Sequence, residues 1–245
     1  MAEVAGEVAA VRERAAGRRR VDQAFHLGMA AALVGIVFAG FARSFYLRPM
    51  FTSAPLAPLA LIHGTLFSSW IVLLVAQTAL VAAGRTDVHR RVGVAGALVA
   101  ACMIVVGTLT ALVKARREAA SVEALQFLVV PLTDMVVFGT LVAIGIRLRR
   151  KSESHKRLML LATIALLPAA TGRLPLSFIQ DGGAFETFAL ADVPIAACLL
   201  YDIVIRGRPH RALLGGALLI VASQPLRMAL GDSQAWLTFA RWLVG

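Results

Sequence analysis

Charge is scarce in this chain and cysteine almost missing. Asp, Glu, Lys and Arg make up 16% of the 245 residues and 59% are hydrophobic, whereas soluble domains average about 25% charged and about 45–50% apolar. That shortage excludes an ordinary soluble domain. The two cysteines, Cys102 and Cys198, both fall in apolar stretches and form neither a disulfide framework nor a C-x-x-C site. Lysine is limited to Lys114, Lys151 and Lys156, so the last apolar stretch lacks the lysine a retinal protein needs. No G-x-S-x-G elbow, phosphate loop or H-x-x-x-H zinc pattern occurs. His26 and His63 fall at opposite ends of their stretches, which speaks against a bis-histidine haem.

What is present is long apolar sequence. Blocks of roughly 20 residues or more are long enough to cross a hydrocarbon core of about 30 Å. The expected fold is an all-α membrane protein, a seven-transmembrane-helix bundle with spans at 24–42, 57–83, 93–113, 125–146, 158–179, 186–205 and 211–230. Residues 1–22 read as a basic cytoplasmic tail, 23–232 as the membrane domain and 233–245 as an amphipathic or helix-extending tail. Small residues Gly93, Gly96, Ala97, Ala100 and Ala101 at helical spacing predict that span three is central packing material.

The net charge of +11 is not grouped as a nucleic-acid footprint would be, so no nucleic-acid partner is expected. It lies instead between the spans. Seventeen of the 25 Lys and Arg residues fall on one side of the alternation, at 12–20, 85–91, 147–157 and 206–211. By the positive-inside rule that side is cytoplasmic, with the N-terminus inside and the C-terminus outside.

Four ionisable residues interrupt the spans: Asp134, Arg173, Asp192 and Arg227. Each costs roughly 3 kcal/mol near the bilayer centre on insertion scales, so pairing or function is expected of them. The orientation puts all four in the outer half of four consecutive helices. Gln224 stands three residues before Arg227, on the same face. His63, Trp70 and Gln77 recur every seven residues and form one stripe on span two. Pro131, Pro168, Pro175, Pro194 and Pro225 fall in the same helices, each removing a backbone donor. These residues predict a polar chamber open to the outside, lined by His63, Asp134, Arg173, Asp192, Gln224 and Arg227.

In that chamber Arg173 and Arg227 would bind an anionic group, Asp134 and Asp192 would balance or relay charge, and His63 would titrate beside them. The expected partners are the lipid bilayer and a small anionic or amphiphilic ligand. The competing reading makes the same charges Asp–Arg clamps that fix helix order, in a structural or assembly role. A third reading is a redox or metal-dependent membrane enzyme. Its candidates are Asp87, His89, His155 and His210, histidines that each stand beside basic residues just before a span. The adjacent positive charges oppose a cation, and no metal or cofactor is expected.

Two segments, Gly84-Arg85-Thr86-Asp87-Val88-His89-Arg90-Arg91-Val92-Gly93 and Ser154-His155-Lys156-Arg157-Leu158-Met159, resemble recurring stretches in uncharacterised bacterial multi-pass membrane proteins. The resemblance covers about sixteen residues and implies a bacterial inner-membrane location, without assigning any residue a catalytic role.

Overall fold

The computed structural model describes residues 1–118 and 121–245. Within the first helix the side chains of residues 2, 3, 5, 6, 8, 11, 12, 14 and 15 are outside the description, so Arg12 and Arg14 as orientation charges lie beyond it. Among the described residues every regular element is helical. The elements are α1 (Ala2–Phe41), α2 (Pro58–Ala82), α3 (Thr86–Arg117), α4 (Val122–Phe127), α5 (Val129–Arg147) and α6 (Ser152–Ile164). They continue as α7 (Pro168–Thr171), α8 (Ser177–Gln180), α9 (Ala184–Arg206), α10 (Arg211–Gly231) and α11 (Gln234–Val244).

Helix ends follow local chemistry. Pro58 opens α2, where its missing N–H is no loss. Gly84 and Gly207 adopt φ of 74° and 75° just past α2 and α9, the left-handed turn that glycine takes without strain. The Ser121, His210 and Ser233 side chains accept N–H bonds at the starts of α4, α10 and α11.

Six segments are long and apolar enough to cross a membrane: Ala16–Tyr46, Pro58–Ala82, Thr86–Arg117, Val122–Arg147, Ala184–Arg206 and Arg211–Gly231. Their outward faces are apolar. Val94, Leu98, Val136 and Val204 are all more than 65% exposed, a surface suited to lipid and not to water. The molecule is a multi-pass helical membrane protein. The N-terminal tail is not a separate element, since α1 runs through it without interruption.

The predicted fifth span, 158–179, is not a continuous helix. Pro168 cannot donate to the carbonyl of Ile164, so α6 stops there and residues 165–167 close with short-range turns. Gly172 then caps α7, and Pro175 precedes the single turn of α8. At 1.5 Å per residue the 13 residues of α6 cover about 20 Å, short of a full crossing.

That short helix is nonetheless the most enclosed element. Arg157, Leu158 and Leu160 to Ile164 are all buried, packed on α5, α9 and α10. Span three was expected at the centre, but α3 buries only Ala100, Met103, Gly107 and Ala115 and lies at the side, against α2 and α5. Its Gly96 faces open space. The close approaches come elsewhere, as where Gly40 of α1 meets the Ala170 backbone of α7. The C-terminal segment forms its own amphipathic helix, with Trp236, Leu237, Ala240 and Val244 buried in a small second core against α3 and α4.

Candidate functional site

The predicted outer cluster divides into two groups. The first joins α5, α9 and α10. Arg227 Nη1 donates to Asp134 Oδ1 at 2.5 Å, and both residues are buried, at 3% and 7% exposure. The same guanidinium donates to Ser223 Oγ at 2.7 Å and to the Ser223 carbonyl at 3.3 Å, and lies over the Phe188 ring at 5.4 Å. One turn of α10 thus presents Ser223, Gln224 and Arg227 together. Gln224 Nε2 donates to Asp192 Oδ1 at 2.9 Å, which ties α9 to the same face. This guanidinium spends three of its five N–H donors on a carboxylate, a hydroxyl and a carbonyl, and one face on a ring.

Arg173 stands apart. The break after α6 and the turn of α7 carry it onto α1, where it lies 4.9 Å from the Phe41 ring centre and donates to the Ala169 carbonyl. It is exposed, and among the described residues it makes no ion pair. His63 of α2 stacks on Phe67 with ring centres 4.1 Å apart, and its Nδ1 is buried without a hydrogen-bond partner.

The rest of the α2 stripe leads away from both groups. Trp70 is buried, donates from Nε1 to Thr163 Oγ1 at 3.0 Å and meets Phe138 edge-on. Gln77 donates from Nε2 to the His89 carbonyl at 3.2 Å, near the junction of α2 and α3. A seven-residue repeat keeps one face, but at two helical turns per step it covers about 21 Å of length, too far for one site.

The histidines placed before the spans do not converge. The rings of His89 and His155 meet edge-on with centres 6.2 Å apart, and His155 Nδ1 donates to the Gly145 carbonyl at 2.8 Å. His210 caps α10, its Nδ1 accepting the Ala212 N–H at 3.1 Å. Asp87 pairs with Arg85 at 3.8 Å on the exposed first turn of α3. Among the described residues no group of three or more His, Cys, Asp or Glu is arranged around one ion position.

A second charge network, which the sequence did not single out, joins α1, α6 and α9 at the basic end. Arg157, 3% exposed, grips Asp202, 1% exposed, through the Nε–Nη2 edge of its guanidinium, with Nε to Oδ2 at 3.0 Å, while Nη1 donates to Glu153. Asp202 Oδ2 also accepts the His210 backbone N–H at 2.9 Å. Lys156 bridges Asp22 at 2.6 Å and Glu153 at 2.8 Å, while Arg206 reaches Glu153. Burial pushes the Glu153 carboxyl upward, but the hydrogen bonds and charges of Lys156, Arg157 and Arg206 bring it down to about 2. Burial, with Arg157 beside it, holds the His210 imidazole below its ordinary value. One signal was available: Asp202 is an acid within the sixth predicted span, near its basic end. Its neighbours were read as orientation charges, which hid their pairing.

The class is therefore a multi-pass helical membrane protein carrying two internal charge networks, one near each end of the bundle. No protein-family model, curated protein or solved structure matches the chain.

Proposed function

We propose that the chain is a seven-span protein of a bacterial inner membrane, N-terminus cytoplasmic and C-terminus outside, that binds a small anionic or amphiphilic ligand at its outer end. α6, the turn and α7 together supply a broken seventh crossing of 20 residues from Ser152 to Thr171. Broken helices at membrane depth are tolerated where other helices enclose them, as here. The orientation is supported by the excess of Arg and Lys at the ends where α2 meets α3, α5 meets α6 and α9 meets α10.

One observation carries the binding role. Among the described residues, Arg173 alone of the four ionisable residues in the predicted outer cluster has no side-chain hydrogen-bond or ion-pair partner: Asp134 holds Arg227 and Asp192 holds Gln224. A cation lying on an aromatic ring, with a donor on a backbone carbonyl but no carboxylate beside it, is a ready site for a carboxylate or phosphate. His63, with an unpartnered ring nitrogen nearby, is the second polar contact. In this reading Asp134, Asp192, Gln224 and Arg227 hold the frame and do not touch ligand. The test is a melting-temperature titration of the full chain in detergent with octanoate and with inorganic phosphate. Stabilisation by either anion, lost in Arg173→Gln, is the expected result. Absence of any shift, or a shift that survives Arg173→Gln, overturns the reading.

The clamp reading also has its observation, the 2.5 Å contact between buried Asp134 and Arg227. It describes that pair and leaves Arg173 unexplained.

A further inference from the structure

We propose that the groove between α1 and α9 at the basic end binds an anionic phospholipid, with one acyl chain in the groove and the phosphodiester headgroup on Arg18 and its neighbours. This rests on a different end of the molecule and different residues from the ligand site above. The groove has a volume of about 530 Å³, within the range of about 300–1,000 Å³ that holds small ligands. Val21 and Ala24 line it from α1, and Leu200 and Val204 from α9. Phe25 and Tyr201 meet between the helices with rings stacked at 3.8 Å and only 9° apart, and both belong to the groove lining. Along α9 the lining runs from Ala197 to Ile205, about 12 Å at 1.5 Å per residue. That length takes the upper part of an acyl chain and leaves the remainder in the bilayer.

The groove ends at charge. Arg18 Nη2 donates to the Ile205 carbonyl at 2.5 Å, directly at the lining. The acids nearby are already engaged: Asp22 with Lys156, Glu153 with Lys156, Arg157 and Arg206, and Asp202 with Arg157. Among the described residues Arg18, Arg19 and Arg20 form no ion pair, and all three are exposed. An apolar slot with the Arg18 guanidinium at its end, followed on α1 by the exposed Arg19 and Arg20, matches a molecule with a long apolar chain and an anionic head. A zwitterionic lipid brings its own cation against these arginines. A second copy of the chain would set α1 arginines against like charge, and free phosphate makes no use of the apolar walls.

The test uses the full-length protein in detergent, with phosphatidylglycerol and phosphatidylcholine of identical acyl chains, and counts retained lipids by native mass spectrometry. Phosphatidylglycerol should be retained over phosphatidylcholine by about tenfold or more. The combined Arg18→Gln, Arg19→Gln and Arg20→Gln variant should bring the two within about twofold. Val204→Trp fills the groove from a position that is 71% exposed, so the fold should tolerate it. It should lower phosphatidylglycerol retention while leaving the lipid-free melting temperature unchanged. Equal retention of the two lipids by the native chain overturns the proposal. An unchanged preference in Val204→Trp, or displacement of the lipid by glycerol phosphate alone, overturns the groove assignment in favour of plain surface attraction.

Discussion

At the scale of single residues, the distinction that matters is between charges that are spent and charges that are not. Asp134 and Arg227 are spent on each other, and removing either leaves a buried charge alone. Losing one partner of a buried pair destabilises by about 3–5 kcal/mol, mainly through the charge left behind. Arg227→Met and Asp134→Leu should each lower the melting temperature sharply, and the double variant should recover most of the loss. Equal or additive losses in the double variant would contradict the clamp assigned to this pair. Glu153 gives the corresponding test at the basic end. Its carboxyl ionises near 4.5 when free and near 2 in the folded protein, so the folded state gains from the ionised form above about pH 4.5. That gain is lost progressively as the pH falls toward 2. In an acid titration Glu153→Gln should flatten the loss of stability over this window, and an unchanged profile would remove Glu153 from the network. Composition and hydropathy located Asp134, Asp192, Gln224 and Arg227 at one depth, and the structure brings all four together. They did not tell which acid meets which base, because pairing depends on helix rotation, and a near-uniformly apolar span gives little indication of which face turns inward.

At the scale of elements, the sequence is most legible where physics is one-dimensional. Six of the seven predicted apolar blocks correspond to helical segments of membrane length, and helix ends fall at Pro58, Gly84, Gly207 and the Ser121 cap. In the fifth block Pro168 marks a lost donor in the sequence, but not how far the break goes: in the structure that lost hydrogen bond ends α6 and turns the chain. That turn moves Arg173 from the bundle interior, where the chamber reading placed it, onto α1. It also brings the Ala170 backbone against Gly40, where an added β-carbon would overlap the Ala170 carbonyl. Gly40→Ala should therefore destabilise by about 1–3 kcal/mol, since backbone cannot step aside as a side chain can. Gly96→Ala is its control. Nothing lies within 4 Å of that position, and alanine there should be neutral or slightly stabilising through helix propensity. If both substitutions behave alike in a melting experiment, the close crossing of α1 and α7 is wrong. The small-residue stripe on α3 shows the same limit from the other side. Its spacing marks a face that permits close packing, without saying whether a neighbour uses it.

At the scale of the whole molecule, polarity is arranged in layers. An apolar belt faces outward, a core of Leu, Ile, Phe and Met lies between the helices, and two charge networks close the bundle near its ends. The network of Arg157, Asp202, Glu153, Lys156 and Asp22 ties α1, α6 and α9 together, and that of Asp134, Arg227, Gln224 and Asp192 ties α5, α9 and α10. Against that frame, among the described residues, the Arg173 side chain makes no ion pair and the His63 Nδ1 no hydrogen bond. The account stands on this division between frame and site. The most direct measurement compares the melting-temperature shift produced by octanoate in three forms of the full chain: native, Arg173→Gln, and the double variant Asp134→Leu with Arg227→Met. The account predicts a shift in the native chain, the same shift in the double variant and none in Arg173→Gln. A shift that vanishes in the double variant and persists in Arg173→Gln would place the ligand on the charges assigned here to the frame, and would contradict it.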